Sequence, residues 1–568
     1  MLRKIRITLA VIFFTAITLL FLDFTGAIHH WLGWLAKIQF LPAVLALNVV
    51  VVAALIILTL VFGRVYCSVI CPLGVFQDGV SWLSSRRKGK KNRFTYKKEM
   101  KWLRYGTLVI FIVALVAGVH VIVSLLAPYS SYGRIAQNIF APVYQWINNG
   151  LAYLAARWDS YAFVPKEVWL KSLPTFIIAA ATLVIIVILS WRGGRTYCNT
   201  VCPVGTSLSF FSRFAMFRPT IDESACEKCH ACERKCKASC IEITKDVSRI
   251  DYSRCVGCFD CVDNCKFGGV RYKFAWGKKK GTPEAAEAVR DSGRRAFMIG
   301  SAAALGGSAL AGISARAQEA TEGEGKKIDG GLADIIPKQV PEREVPVTPF
   351  GSESVKDFYQ HCTACQLCVS VCPNNVLRPS KDLERFMQPE MSFERGYCRP
   401  ECTKCSEVCP TGAIRRIVPE EKTRWKVGTA RVNYDLCVAN ANDTSCGNCA
   451  RHCPVGAIML VPKNPGHKDG VRIPTVVEGR CIGCGACENL CPARPVSAIV
   501  VEGYEVHHKN CSHGLDMCEG QHEHKGECQN GGQCADHGQA HERKHGQGHG
   551  GGKGQAMGKR HRHGHREE

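Results

Sequence analysis

SGRRAFMIGSAAALGGSALAGISARA, residues 292–317, divides the chain into two parts with different surroundings. The pair Arg294 and Arg295 precedes a weakly apolar run of Ala, Gly, Ser and Leu, which closes on an A-x-A pattern at Ala317. This order is typical of a twin-arginine export signal, cleaved after Ala317. A small-residue transmembrane helix with cytoplasmic arginines is the alternative. Either interpretation places the preceding residues inside the cell and the following residues outside.

Four apolar runs precede this signal, and each is long enough to cross a bilayer. They are residues 5–24, 39–62, 102–126 and 173–191. Ten Lys or Arg lie in 86–104, whereas 127–171 has four, so the positive-inside rule places 86–104 in the cytoplasm. The sequence therefore predicts a four-span domain, residues 1–215, in the inner membrane of a bacterium. An uncleaved signal would be a fifth span.

One phrase, Tyr-Cys-x-x-x-Cys-Pro-x-Gly, follows the second and the fourth apolar run, at 66–74 and 197–205. Cysteines four residues apart share one helix face, so the two pairs can bring four thiolates together at the cytoplasmic membrane surface. The four candidate redox residues are Cys67, Cys71, Cys198 and Cys202. They could bind an additional metal centre or act as a dithiol relay. Buried structural thiols at helix ends are the plain alternative.

Residues 216–275 predict a small cytoplasmic ferredoxin with two [4Fe-4S] clusters. The spacing C-x-x-C-x-x-C-x-x-x-C occurs twice, and it is typical of cluster ligands rather than of a disulfide scaffold. Since the remote cysteine crosses over in two-cluster modules, two ligand sets are expected. They are Cys226, Cys229, Cys232 with Cys265, and Cys255, Cys258, Cys261 with Cys236. Lys237 and Lys266 replace the usual proline, and Cys240 is a spare thiol.

A basic linker with the signal, 276–318, and a flexible Gly/Glu/Pro-rich linker, 319–350, lead to a second cysteine-rich region, 351–505. Its four motifs are Cys362, Cys365, Cys368, Cys372; Cys398, Cys402, Cys405, Cys409; Cys437, Cys446, Cys449, Cys453; and Cys481, Cys484, Cys487, Cys491. They predict a periplasmic domain with four clusters in a row for electron transfer, which gives the chain six [4Fe-4S] clusters in total. Two pairings of these motifs are acceptable. Either the first pairs with the second and the third with the fourth, or the two outer motifs (first and fourth) pair and the two inner motifs (second and third) pair. Because clusters are inserted before export, a folded-protein export signal is the expected one.

The tail, 506–568, is different in composition. It is rich in histidine and contains Cys511, Cys518, Cys528 and Cys534. With few apolar residues it predicts a disordered segment, either dispensable or a buffer for zinc, copper or nickel. Much of the formal net charge of +23 lies beside the apolar runs, whereas the tail has nine Lys or Arg against eight Asp or Glu. Membrane topology therefore explains the charge better than nucleic-acid binding does.

Together these motifs resemble NapH and NapG, the membrane and periplasmic parts of a ferredoxin-type quinol dehydrogenase, here on one chain. Residues 1–275 have the NapH pattern and 290–505 the NapG pattern, which MauN and MauM of methylamine utilisation share. The implied fold is multi-domain, a polytopic α-helical membrane domain with α+β ferredoxin-like domains on both sides of the membrane. The resemblance implies electron transfer from menaquinol or ubiquinol to a periplasmic reductase, nitrate reductase in the best-known case, or to a cytochrome c.

The quinol site is predicted near the outer face of the membrane. Asp23, His29, His30 and His120 lie there and are candidates to accept quinol protons, beside an anchoring or packing role. No carrier motif is visible between the inner and the outer clusters. The tail keeps an alternative function open, a metal-handling or maturation factor that supplies electrons for assembly of a periplasmic metalloenzyme.

Overall fold

The computed structural model describes residues 1–23, 26–86, 94–160, 162–244, 247–276, 336–464 and 470–509. The predicted export signal at 292–317 and the tail from 510 onward lie outside the described residues. The described residues all belong to one unit, Met1–Asn510.

Up to Ser212 the described chain forms a helical unit. Its helices are α1 (Leu2–Leu22), α2 (Ala27–Leu32), α3 (Trp34–Lys37), α4 (Phe40–Leu45), α5 (Val49–Phe62), α6 (Val65–Val69), α7 (Pro72–Ser85), α8 (Lys101–Val116), α9 (His120–Leu126), α10 (Pro128–Ile135), a π-helical turn (Ala136–Phe140), α11 (Ala141–Ala156), α12 (Leu173–Gly193), α13 (Thr196–Thr200) and α14 (Pro203–Ser212). Among the described residues, α1 and α12 are long and apolar enough to cross a membrane, and α5 is a shorter apolar helix.

The second and third predicted spans are each broken into two helices. Leu47 adopts a φ of 51° between α4 and α5, and the Asn48 side chain caps the new helix by accepting a hydrogen bond from Val51 N. Gly118, with a φ of 74°, separates α8 from α9. The apolar pattern continues across both breaks, so composition alone does not reveal them. The four-span topology stays a prediction, supported for two continuous helices.

Helix α10 lies in the interior of the helical unit. All of its residues are buried, and it contacts α7, α9 and α12. The Tyr132 ring packs edge-on against Phe14 and Phe21 of α1, and its hydroxyl lies 2.5 Å from Thr18 Oγ1. The chain therefore re-enters the core between α9 and α11 instead of passing over its surface.

An inner ferredoxin unit follows α14. It contains β1 (Phe217–Ile221), α15 (Ala231–Lys235), β2 (Ile241–Ile243), β3 (Ser248–Ile250), α16 (Asp260–Asn264) and β4 (Val270–Phe274). Two antiparallel ribbons form, β1 with β4 and β2 with β3. The unit contacts the start of α1, where Arg3 forms ion pairs of 2.8 Å with Asp260 and with Asp263.

An outer ferredoxin unit contacts the other end of α1. It contains α17 (Val355–His361), α18 (Leu367–Val371), β5 (Leu377–Pro379), β6 (Pro389–Met391), α19 (Lys404–Val408), α20 (Pro419–Lys422), β7 (Trp425–Val432), α21 (Val438–Ala441), α22 (Asn448–Arg451), β8 (Ile458–Pro462), β9 (Arg472–Val476), α23 (Ala486–Leu490) and β10 (Ile499–Lys509). The antiparallel ribbons pair β5 with β6, β7 with β10 and β8 with β9. Since α1 has 21 residues, its length of about 30 Å separates the two ferredoxin units.

The outer unit extends beyond its predicted bounds at both ends. Val347 and Phe350, in the predicted flexible linker, are buried in its core. Strand β10 continues to Lys509, and the buried His507 lies 2.8 Å from Ser352 O through Nδ1 and 3.1 Å from Thr348 Oγ1 through Nε2. The sequence at both ends of the unit is mostly polar and glycine-rich, so composition alone did not predict that these few residues are buried.

Candidate functional site

Loops of one repeated shape carry the predicted ligands in four of the six ferredoxin motifs. In these loops, spaced C-x-x-C-x-x-C, the residues two and four places after the first cysteine have positive φ. They are Lys228 and His230, Gly257 and Phe259, Ala364 and Gln366, and Gly483 and Gly485. Alternation in the sign of φ turns backbone N–H groups toward one side and forms a concave site for an anion. A thiolate-bound cluster is such an anion.

The structure gathers the predicted ligands into sets of four, three cysteines from one motif and one from its partner. Inner site 1 brings Cys232 near Cys226 and Cys265, with Cys229 in the same loop, and inner site 2 comprises Cys236, Cys255, Cys258 and Cys261. Outer sites 1 to 4 comprise Cys362, Cys365, Cys368 and Cys409; Cys372, Cys398, Cys402 and Cys405; Cys437, Cys446, Cys449 and Cys491; and Cys453, Cys481, Cys484 and Cys487. The first motif thus pairs with the second and the third with the fourth.

The thiols of these sets fit clusters better than single ions. In the part of the chain that the structure describes, every cysteine is free, and no three His, Cys, Asp or Glu side chains could hold one metal ion. An iron-sulfur cluster is larger than an ion and holds its thiolates further apart. Four of the sets, inner site 2 and outer sites 2 to 4, each line a cavity, which suits that size. The spare Cys240 lines the same cavity as inner site 2.

The outer sites follow one another in the order 1, 2, 4, 3. Cys368 of site 1 lies within electrostatic reach of Cys405 of site 2. Cys398 N donates a hydrogen bond of 3.0 Å to Cys484 O, which connects site 2 to site 4. Asn448 Nδ2 donates to Leu490 O at 3.1 Å, which connects the site 3 loop to α23 and site 4. The chain order of the motifs is therefore not their spatial order.

A buried lysine that the sequence analysis missed lies beside outer site 2. Lys422, 1% exposed, donates from Nζ to Cys398 Sγ at 3.2 Å and to Arg399 O at 2.5 Å. A cation beside a thiolate raises the reduction potential of a bound cluster. Two glutamates and a threonine surround Lys422 in the sequence, a pattern typical of an exposed helix end. The sequence therefore did not indicate that this lysine is buried beside a cluster site.

The cysteines of the paired Tyr-Cys-x-x-x-Cys-Pro phrases also meet, and we call them the four-thiol site: Cys67, Cys71, Cys198 and Cys202. All four are at most 5% exposed, and Cys202 lies within electrostatic reach of the other three. Helices α6 and α13 carry the first cysteine of each pair, whereas the second caps α7 or α14, where proline begins the helix. The predicted convergence of the four thiols is thus present, and their redox role stays a prediction.

Two buried arginines cross between the two copies of this phrase. Arg64, just before the first copy, donates to Cys198 O at 3.1 Å, and Arg195, just before the second, donates to Cys67 O at 2.5 Å. The last glycine of each copy makes room for the arginine of the other, because a Cβ at Gly74 or Gly205 would lie 2.7 Å from that guanidinium. The spacing of the cysteines gave no indication of this exchange.

An acidic residue of α7 joins this region to the inner unit. Asp78 pairs with Arg195 at 2.8 Å, with Arg6, and with Lys237 at 3.8 Å, the lysine that follows Cys236. Although burial alone would raise the pKa of Asp78, the cations Arg195, Lys237 and Arg6 hold it well below its ordinary value. Lys237, noted in the sequence only because it replaces the usual proline, therefore fixes the inner unit to the helices.

The predicted proton acceptors lie at the other end of the helical unit. His29 is buried, and its Nδ1 lies 3.0 Å from Asp23 Oδ2, whereas His30 is exposed. Among the described residues, His29 Nε2, both ring nitrogens of His120 and the Tyr129 hydroxyl are buried without a hydrogen-bond partner. Burial lowers the pKa of His29, although Asp23 opposes the shift, so its imidazole is held neutral.

These polar groups adjoin outer site 1. Tyr129 lies within electrostatic reach of Cys365 and Cys409, and His120 within reach of His361, the residue before Cys362. A buried hydrogen bond of 3.0 Å from Asn138 Nδ2 to Gln366 Oε1 fixes this loop to the helical unit. Of the four outer sites, outer site 1 is therefore the one that faces the helical unit.

Comparison with known proteins agrees with the cysteine geometry. A family model described as a 4Fe-4S binding domain matches residues 44–91 and again 174–220, one copy around each pair of the four-thiol site. A second model, a 4Fe-4S dicluster domain, matches residues 361–439 and 444–494, which are the two pairs of outer motifs. The chain is a ferredoxin-type iron-sulfur protein with 4Fe-4S domains.

Individual relatives cover parts of the chain. The ferredoxin-type protein MauM of methylamine utilisation in Paracoccus denitrificans is 29% identical over 205 residues, 35% of this chain and 82% of MauM. The ferredoxin-type protein NapF of Escherichia coli K12 is 28% identical over 181 residues, 32% of this chain and 99% of NapF. An uncharacterized protein of Methanocaldococcus jannaschii, MJ0749, is 37% identical over 97 residues, which are 17% of this chain and 38% of that protein.

Proposed function

We propose that this protein is a membrane-bound electron-transfer protein of the NapH/NapG type, which oxidises quinol and passes the electrons through its outer ferredoxin unit to a periplasmic reductase. Supporting it is one observation above all, the set of buried, unpartnered polar groups beside outer site 1. The Nap-named and Mau-named ferredoxin-type relatives agree with such a role. The proposed location is the bacterial inner membrane, with ferredoxin units on both sides.

Oxidation of a quinol releases two electrons and two protons, and the unpartnered ring nitrogens of His29 and His120 are placed to take one proton each. Asp23 Oδ2 accepts a hydrogen bond of 3.0 Å from His29 Nδ1 and another of 2.8 Å from Ile28 N, an arrangement that orients the imidazole. Nε2 then presents its lone pair toward the quinol hydroxyl. Proton transfer to Nε2 makes an imidazolium that the Asp23 carboxylate stabilises.

The electrons follow the ferredoxin cysteines. A bound iron-sulfur cluster accepts and passes on one electron at a time. Cys365 and Cys409 hold outer site 1 beside Tyr129, so the entry point of electrons and the proton acceptor lie in one region. The order 1, 2, 4, 3 leaves outer site 3 as the exit toward the reductase. Its loop is exposed at Leu436, Asn442 and Asp443, where an acceptor protein can approach.

The test uses anaerobic, cluster-loaded protein mixed with a menaquinol analogue, with cluster reduction followed by EPR and dithionite as the full-reduction control. His29→Gln should slow quinol-dependent reduction about 100-fold, because loss of a general base typically costs that much. Dithionite reduction should be unchanged. His30→Gln, the exposed neighbour, is the matched control and should behave as the parent protein.

One result would contradict the proposed quinol oxidation. If dithionite reduces the clusters but quinol never does, even with an oxidised acceptor present to draw electrons away, the protein is not a quinol dehydrogenase. A maturation factor for a periplasmic metalloenzyme would then be the better proposal.

A further inference from the structure

Two half-sites combine in the four-thiol site. Each copy of the matched 4Fe-4S binding domain, 44–91 and 174–220, supplies only two of its cysteines, whereas a cubane or a [2Fe-2S] centre bound by cysteine needs four. The copies are placed so that their pairs meet, with each arginine crossing to the cysteine carbonyl of the other copy. The duplicated hairpins therefore form one set of four ligands and not two sets of two.

The surroundings of this site carry an excess of buried positive charge. Arg195 is balanced by Asp78, which also pairs with Arg6. Lys237 lies 3.8 Å from Asp78 and 3.1 Å from Asp260, a carboxylate that it shares with Arg3. Arg64 is fully buried, and among the described residues its hydrogen bonds go to neutral oxygens, Asn199 Oδ1 at 2.9 Å, Ser253 O at 3.1 Å and Cys198 O at 3.1 Å, with Cys67 Sγ at 3.9 Å.

A buried guanidinium without a carboxylate is costly unless another anion compensates it. Four neutral thiols supply no negative charge. Four thiolates bound to iron and sulfide carry net negative charge, so a cluster would balance Arg64. A set of four sulfurs is typical of zinc or of an iron-sulfur cluster. The absence of single-ion geometry among the described side chains favours the larger centre.

The site also lies between the two ferredoxin units. On the inner side, the inner site 2 loop approaches α6, where a Cβ on Gly257 would lie 3.3 Å from Val65 Cγ2. On the outer side, Tyr197, which precedes Cys198, donates from its hydroxyl to Leu126 O at 3.2 Å. Buried Arg134 of α10 lies within electrostatic reach of both Tyr197 and Cys365 of outer site 1. These contacts place the four-thiol site between inner site 2 and outer site 1.

We propose that the four-thiol site holds one shared iron-sulfur cluster, which carries electrons between inner site 2 and outer site 1. One electron enters from one neighbour and one leaves to the other, the thiolates keep their bonds to iron, and no proton moves. The four cysteines, which the sequence offered as a possible metal centre or dithiol relay, would then be the carrier between the inner and outer clusters. The proposal does not depend on quinol being the electron donor.

The first experiment measures iron, acid-labile sulfide and zinc per chain in the full-length protein, purified anaerobically. Cys71→Ser and Cys202→Ser should each lose the same amount of iron and sulfide. The double variant should lose no more than either single variant, because both cysteines serve one centre. Ser68→Ala, a buried substitution between the two cysteines of the first copy, is the matched control and should keep all its metal.

Three results would overturn the proposal. The first is a double variant that keeps its full iron and sulfide. The second is stoichiometric zinc in the parent protein that the single variants lose. The third is a double variant whose loss of iron and sulfide equals the sum of the two single losses, as two separate centres would give. EPR signals of the ferredoxin units, measured in the same samples, show whether each variant has folded.

A second variant tests the charge argument with the ligands intact. Arg64→Gln should keep the iron and sulfide but lower the reduction potential of the component that Cys71→Ser and Cys202→Ser lose, because it removes a cation beside that centre. Any shift at inner site 2, whose Cys255 also lies within electrostatic reach of Arg64, should be smaller. A merely structural role for Arg64 would move no potential, and an unchanged titration would contradict the proposal. Neither experiment uses quinol, so its outcome is independent of the proposed quinol oxidation.

Discussion

His507 is a single buried side chain that fastens the end of β10 to the segment before α17. Its neutral ring can donate from Nδ1 to Ser352 O and accept at Nε2 from the Thr348 hydroxyl. Burial lowers the pKa of His507 to about 4, although the hydrogen bond to Ser352 opposes the shift. Below a pH of about 6.5 the unfolded chain therefore takes up a proton that the folded chain does not.

The pH dependence of stability follows from that difference. The contribution of His507 is fully present above a pH of about 6.5 and is lost as the pH falls toward 4, by up to about 3 kcal/mol. His507→Gln should flatten this part of the melting-temperature profile of the outer unit between pH 7 and 5, measured by loss of cluster absorbance. His508→Gln, exposed and adjacent, should keep the parent slope. Parallel profiles for all three proteins would contradict the assignment.

At the scale of elements, helix α7 shows why the paired phrases end in glycine. A Cβ at Gly74 would clash with Cys67 O and with Arg195, whereas Gly79 in the same helix has open space around it. Gly74→Ala should destabilise the helical unit by about 1–3 kcal/mol through overpacking. Gly79→Ala should stabilise it by about 0.5–1 kcal/mol, since alanine is the better helix former.

Thermal unfolding in detergent, followed by tryptophan fluorescence, would measure both glycine variants against the parent protein. A neutral Gly74→Ala would show that Arg195 can move away without cost. The crossing between the two copies would then be looser than the distances indicate.

The same elements show how much of the fold and of the sites could be predicted from the sequence. Cysteine spacing predicted the ligand sets of the inner unit and the meeting of the four thiols, because ligand chemistry acts through local, regular spacing. It left the pairing of the outer motifs open, since either arrangement satisfies the same spacing. The breaks at Leu47 and Gly118 were not foreseen, because hydropathy averages over the residues that end a helix. Contacts between distant segments, such as Arg64 with Asn199, have no local signature at all.

At the scale of the whole molecule, the order of the outer sites gives a directional prediction. Cys446→Ser, at outer site 3, should leave quinol-dependent reduction of the other outer clusters intact and abolish delivery to a reductase. Cys365→Ser, at outer site 1, should abolish both, because outer site 1 is the proposed entry point of electrons. Stopped-flow reduction by a quinol analogue, followed by turnover with a reductase partner, separates the two steps. Equal defects in the two variants would mean that the order 1, 2, 4, 3 is not the order of electron flow.

The exchange of arginines between the two copies has a consequence for biosynthesis. Asn199, which accepts a hydrogen bond from Arg64, follows it by 135 residues. At about 5–20 residues per second, a ribosome needs about 7–27 s to add that length. During this interval the nascent first hairpin has a guanidinium and two thiols but no partner hairpin. A cluster held by all four thiols, as proposed, would therefore be assembled only after the second hairpin has been made, and a chain released early should be a substrate for membrane proteases.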